Sequence, residues 1–220
     1  MEALKKRTSY SQREEKANVL THGAGLLASV LALVFLVRRA VVYGTALHIF
    51  SAAVFGAAMI LLYTASTLYH GTEEPARRNR LQVFDHASIY ILIAGSYTPF
   101  TLITLQGTTG NVLFAIIWGL AVCGVVLKLF FTGRFEVVLT LMYILLGWII
   151  VVALKPLFAN LALEGVILLF AGGISYTLGA VIYGIKRIRG NHAIFHLLSS
   201  SARCAIFCPS IFTFCLHNIF

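Results

Sequence analysis

The chain has 220 residues, of which 59% are hydrophobic and 11% charged. A soluble domain carries about 25% charged residues, so one water-soluble core is excluded as the destination of this much apolar surface. The formal net charge is +9, but the basic residues stand in short segments between apolar runs, where they act as topology signals and not as a nucleic-acid footprint.

Residues 1–17 are polar and rich in Lys, Arg and Glu, and form an N-terminal segment. The run that follows has no small-residue cleavage site and exceeds a signal-peptide core, so it reads as a retained span. Crossing the hydrocarbon core takes roughly 20 apolar residues. Seven runs qualify: Asn18–Val37, Ala46–Tyr69, Phe84–Leu105, Asn111–Phe131, Val137–Leu154, Leu161–Ile185 and His192–Cys215. They are continuous and not alternating, which favours helices over barrel strands. The prediction is therefore an all-α, seven-helix transmembrane domain over residues 18–215, with a tail at 216–220. Breaks fall at Gly71–Pro75, Gly107–Gly110, Thr132–Arg134, Lys155-Pro156 and Gly190. Pro99 predicts a kink in the third span. Cys123, inside the fourth, reads as a packed thiol, and no CxxC pair points to redox or zinc-ribbon chemistry.

Orientation follows from Lys and Arg. With the N-terminus cytoplasmic, 13 of them lie inside and 4 outside, namely Arg38, Arg39, Lys155 and Arg203. The positive-inside bias thus predicts a cytoplasmic N-terminus.

An ionisable residue at membrane depth is costly and is a functional candidate by default. Span two ends in Ser66-x-x-x-His70, span three begins with Asp85-His86, and span seven begins with His192-x-x-x-His196. Residues four apart share a helix face. The predicted topology puts all three of these span ends in the inner leaflet, so Ser66, His70, Asp85, His192 and His196 lie at one depth. Three imidazoles with an open fourth position suit a catalytic Zn²⁺, which lowers the pKa of water to about 7. His70, His192 and His196 are thus the predicted metal ligands. Asp85 is placed as the proton acceptor or ligand-orienting carboxylate, and Ser66 as a hydrogen-bond partner of water, Asp85 or a substrate carbonyl. Each residue alone has a plainer reading. Histidines sit well among headgroups, Ser66 suits helix–helix contact, and Asp85 suits a helix N-terminus. Their convergence on three helices favours the metal. His86 points about 100° from Asp85 and reads as packing. The facing of His22 is undetermined, and His48 belongs on the outer side. Tyr90, Tyr97, Tyr143 and Trp148 read as packing or interfacial anchors.

The same residues carry a family pattern. Glu14-Glu15-x-x-Asn18-x-x-Thr21-His22-Gly23, Ser66-Thr67-Leu68-Tyr69-His70, Asp85-His86-Ala87-Ser88-Ile89-Tyr90, Ala94-Gly95-Ser96-Tyr97-Thr98-Pro99-Phe100 and His192-Ala193-Ile194-Phe195-His196 resemble the bacterial hemolysin III family, related to the progestin and adiponectin receptors. The resemblance covers about Glu14 to His196. It implies a seven-helix protein of the bacterial inner membrane with a cytoplasmic N-terminus. It implies zinc at positions matching His70, His192 and His196, with Asp85 and Ser66 beside it. Two activities are implied. One is a zinc-dependent hydrolase of a lipid amide or ester, ceramidase-like, as among receptor-type relatives. The other is pore-forming, haemolytic cytolysis. A receptor-like sensor with structural zinc is a third reading, and the oligomeric state is open. Beyond His196 the chain departs from the family, because Ser199–Cys204 interrupts the hydrophobic pattern and Pro209 falls inside the expected span. A permissible back-translation of Ser199–Leu216, read one frame over, is family-like. This predicts a frameshift near Leu198, which an intact in-frame read of the source locus would refute.

Overall fold

A computed structural model describes residues 11–131, 136–185, 187–188 and 191–215, without the side chains of 136–137, 192–193 and 208–215. Eight α-helices follow in order among the described residues: α1 Gln12–Tyr43, α2 Ala46–Gly71, α3 Pro75–Pro99, α4 Gly107–Phe130, α5 Glu136–Trp148, α6 Leu154–Asn160, α7 Leu163–Gly184 and α8 Asn191–Cys215. No strand occurs among them. Six helical elements are long and apolar enough to cross a membrane, and they end at Tyr43, Gly71, Thr104, Phe130, Asn160 and Gly184.

The burial pattern is that of a protein solvated by lipid. Leu20, Leu27 and Leu31 on α1 are 73%, 70% and 71% exposed. The opposite face of the same helix buries Asn18, His22, Ser29, Leu36 and Ala40. Most polar and small residues of α1 thus turn inward, with Leu36 among them, while Leu20, Leu27 and Leu31 turn outward, the reverse of a helix in water. Cys123 is exposed, so the packed thiol expected there faces outward instead.

Helix α1 starts earlier than the hydropathy of its apolar run indicates. Ser11 caps it: its Oγ accepts from the Glu14 N–H at 3.3 Å, while the Glu14 carboxylate accepts from the Ser11 N–H at 2.8 Å. This reciprocal box satisfies two otherwise orphaned donors. The extra turns carry Glu15 and Asn18 onto the same stripe as His22. At Gly25 the helix comes so close to α2 that a Cβ would lie 2.2 Å from the Tyr63 ring.

The kink expected from Pro99 takes the form of a π-helical turn over Phe100–Thr104, in which the Leu105 N–H donates to the Phe100 carbonyl at 2.8 Å. Proline has no N–H and crowds the preceding turn, so the helix widens here without stopping. The break expected at Lys155-Pro156 is absent. After Trp148 the chain tightens into a 3₁₀ segment, Ile149–Ala153, and α6 then carries the span to Asn160, with Pro156 in its first turn, where proline is tolerated.

Aromatic hydroxyls tie α3 to α5. The Tyr90 hydroxyl donates to the Leu139 carbonyl at 3.2 Å, Tyr97 to Gly147 at 2.6 Å, and Tyr143 to His86 at 3.0 Å. The Trp148 indole joins α5 to α7 by donating to Thr177 Oγ1 at 2.9 Å. Interhelical bonds in a bilayer contribute about 0.6 kcal/mol each, so the set acts as a clamp. These four aromatics therefore pack in the bundle. Helix α8 runs unbroken through Ser199–Cys204. Ser199 and Ala202 are buried, and the Ser175 hydroxyl of α7 donates to the Leu198 carbonyl at 3.0 Å.

Candidate metal centre

Three histidines from three helices meet inside the bundle: His22 of α1, His70 of α2 and His196 of α8. One ligand nitrogen from each lies within 4.8 Å of the other two. The rings of His22 and His70 are stacked at 5.9 Å between centroids, and His196 stands edge-on to both, at 4.3 Å and 5.3 Å. Helix periodicity explains the meeting. Glu15, Asn18 and His22 recur at intervals of three and four along α1, which places them on one face opposite the C-terminal end of α2.

The hydrogen bonds indicate where the ring protons sit. The Glu15 carboxylate is 2.7 Å from His70 Nδ1. A carboxylate accepts and cannot donate, so Nδ1 carries the proton and Nε2 of the neutral ring is left with its lone pair. Asn18 Nδ2 lies 3.4 Å from the same Nδ1, and because both atoms then carry hydrogen this is a packing contact and not a hydrogen bond. His22 Nε2 and His196 Nδ1 are 2.8 Å apart. Two nitrogens bound to one tetrahedral zinc, at about 2.0–2.1 Å each, stand about 3.3 Å from one another. The 2.8 Å spacing is therefore that of a hydrogen bond between the rings.

Beside the histidines is a cavity lined by His22, Ser66, Asp85, His86, His196 and Arg203, with Lys128 and Tyr176 in its wall. Asp85 and Lys128 are both buried, so the carboxylate shares its enclosure with two cationic side chains. Three polar atoms in this wall are buried without a hydrogen bond of ordinary geometry among the described residues: His22 Nδ1, Ser66 Oγ, which faces the Asp85 carboxylate, and Ser199 Oγ. Buried polar atoms are normally satisfied, and a water or an ion is the common explanation. The donor set is rich in imidazole and holds a carboxylate and a hydroxyl, which fits a borderline-soft divalent cation. The group of residues could hold a metal ion.

A second cavity, mostly aromatic and aliphatic, is lined by Phe55, Tyr97, Phe100, Trp148 and Phe170. Leu92, Ile93, Tyr176, Ser199 and Arg203 form walls of both. Arg203 stands at the junction. Its Nε donates to the Tyr63 hydroxyl at 2.8 Å, its Nη2 to Ser200 Oγ at 2.9 Å, and its guanidinium lies 4.6 Å from the centre of the Tyr63 ring. Arg203 is expected from the sequence among the outer-face charges. It lies instead inside the bundle, held by a side chain of α2.

Of the predicted site residues, His70 and His196 meet in the histidine cluster, and Ser66 and Asp85 line the adjoining cavity with His196. The side chain of His192 lies outside the described residues. His22, whose facing the sequence left undetermined, is in the cluster. His86, read as packing, lines the cavity with Asp85, because an enclosed space between several helices receives side chains from more than one face of α3. His48 stays apart, capping α2, where its Nδ1 accepts from the Thr45 N–H at 3.2 Å.

Comparison with known proteins gives one consistent result. The family described as haemolysin-III related matches residues 10–207. A protein named "Hemolysin-3 homolog" from Bacillus subtilis (strain 168) is 45% identical over 198 residues, covering 90% of this chain and 93% of its own length. A "Hemolysin-3" from Bacillus cereus is 48% identical over 185 residues, covering 84% of each chain.

Proposed function

This chain belongs to the haemolysin-III-related family, and on that premise we propose that it is a metal-dependent membrane hydrolase acting on an amide or ester of a lipid-like substrate. The observation that carries the proposal is the buried cluster of imidazoles beside a cavity lined by Asp85 and Ser66, which has wall residues in common with an apolar cavity. Zinc is the ion the donor set suits best, and when bound it would supply Lewis acidity toward a carbonyl and toward water. His70 and His196 hold it, and His192 is the third ligand. His192 sits four residues before His196 and so shares its helix face. His22, at hydrogen-bond distance from His196, orients that ring instead.

The remaining residues divide the work. Asp85 accepts the proton of the attacking water and returns it to the leaving amine or alkoxide as the C–N or C–O bond breaks. Ser66 Oγ, buried beside Asp85, donates a hydrogen bond to the substrate oxygen on which charge develops. The aromatic cavity takes an acyl chain and excludes water from the reacting end. Helix α8 is the seventh span and the N-terminus is cytoplasmic, which sets the site at the inner leaflet, where a lipid enters sideways. In a cysteine-free background, Glu73→Cys should react with a membrane-impermeant maleimide only in inverted vesicles, and Gln106→Cys only in intact cells. The opposite pattern would reverse the orientation.

The test of function is turnover of long-chain N-acyl amides and esters by purified protein in lipid vesicles. Hydrolysis that stops on chelation and returns with Zn²⁺ is expected. Vesicle leakage with no hydrolysis of any of these substrates would replace the enzyme reading with the lytic one suggested by the relatives' names.

A further inference from the structure

The N-terminal turns of α1 carry a carboxylate for which the proposed chemistry has no use, yet it touches the site. The side chain of Glu15 spans three helices. One oxygen, Oε2, lies 2.7 Å from His70 Nδ1 on α2. The other, Oε1, pairs with Arg78 of α3. Arg78 is itself fixed: its Nη1 donates to the Thr72 carbonyl at 3.1 Å, and its guanidinium sits 4.9 Å from the centre of the Tyr69 ring. Asn18, one turn on from Glu15, packs against the same edge of the imidazole.

We infer that Glu15 is the positioning carboxylate of His70: it holds the Nδ1 proton, fixes the ring, and leaves Nε2 as the metal donor, with Arg78 anchoring the carboxylate from behind. This inference rests on the metal reading above. First, the acceptor-only nature of a carboxylate determines the tautomer of a ring 2.7 Å away. Second, a carboxylate behind a ligating histidine raises the basicity of the ligand, and its loss costs about 10–100-fold in metal affinity. Third, the geometry exceeds the needs of a helix contact. A surface ion pair between Glu15 and Arg78 would contribute only about 0–1 kcal/mol, whereas this carboxylate divides its two oxygens between a cation and a buried imidazole.

The capping box gives the arrangement its precision. Ser11 and Glu14 cap α1, which begins at Gln12, three residues before Glu15, so the register that points Glu15 inward is set at the very end of the helix. Glu14 caps and Glu15 orients, which separates the roles of two adjacent, chemically equivalent residues.

The experiment is Zn²⁺ affinity of detergent-purified full-length protein, measured by competition with a chromogenic chelator, for wild type, Glu15→Gln, Glu15→Asp, Glu14→Gln and Arg78→Ala. Glu15→Gln keeps the side-chain shape and should fold as wild type, yet bind zinc about 10–100-fold more weakly. Glu15→Asp should recover part of the loss, Arg78→Ala should lose less than Glu15→Gln, and Glu14→Gln should match wild type. The second readout needs no metal. The ¹⁵N shifts of His70 should report a proton on Nδ1 in the metal-free wild type and a mixture of tautomers in Glu15→Ala. Zinc affinity of Glu15→Gln within twofold of wild type overturns the inference and leaves the metal site standing. A wild type that binds no zinc overturns both, and is recognised by failing before any variant is compared.

Discussion

Asp85→Asn is expected to keep its metal and lose hydrolysis by about 10²–10⁴-fold, the range a positioned general base or acid contributes. Asn preserves the shape of the buried side chain but replaces one acceptor oxygen by an NH2 donor and cannot take a proton. Asp85 is 6% exposed and lines the cavity with Ser66, His22 and His196, so no surface carboxylate can substitute for it. The loss should appear in kcat, with zinc per chain unchanged. Ser66→Ala should lose less, because it removes one hydrogen-bond donor and leaves the proton path intact. Unaltered turnover in Asp85→Asn would remove Asp85 from the reaction.

The second large effect is on metal retention. His70→Ala and His196→Ala should each reduce bound zinc from about one per chain to near none, since three protein ligands are the minimum for a stable catalytic site. The more informative pair is His192→Ala and His22→Ala. The account makes His192 a ligand and His22 the partner of His196, at 2.8 Å between ring nitrogens. His192→Ala should therefore lose the metal as fully as His70→Ala, while His22→Ala should keep it with lowered affinity. If His22→Ala empties the site and His192→Ala leaves it full, the ligand set is His22, His70 and His196, the three whose ligand nitrogens lie within 4.8 Å.

Hydropathy made most of the bundle legible, because lipid imposes a simple rule on each span and buried polar residues then stand out against it. Ser66, His70, Asp85 and His196 were found in this way, as intramembrane polar residues at one depth. The N-terminal turns of α1 were not. Arg13, Glu14, Glu15 and Lys16 average to a polar tail in any hydropathy window, and only the three-and-four spacing of Glu15, Asn18 and His22 signals a face turned inward. That spacing also contained the facing of His22, but choosing the face requires knowing where α2 lies. Lys155-Pro156 misled for a different reason. The 3₁₀ segment before it changes the helical phase, and Pro156 then falls in a first turn where its missing N–H costs nothing. The place of Arg203 was equally hidden, because its partner Tyr63 is 140 residues away in the chain.

The claim on which the rest depends is that this membrane protein holds a metal at its histidine cluster. The direct measurement is the metal content of the wild-type protein, purified in detergent without chelators and analysed by inductively coupled plasma mass spectrometry. The account predicts about one zinc per chain. Monodisperse, helical protein that holds no zinc, even after incubation with Zn²⁺, would contradict it.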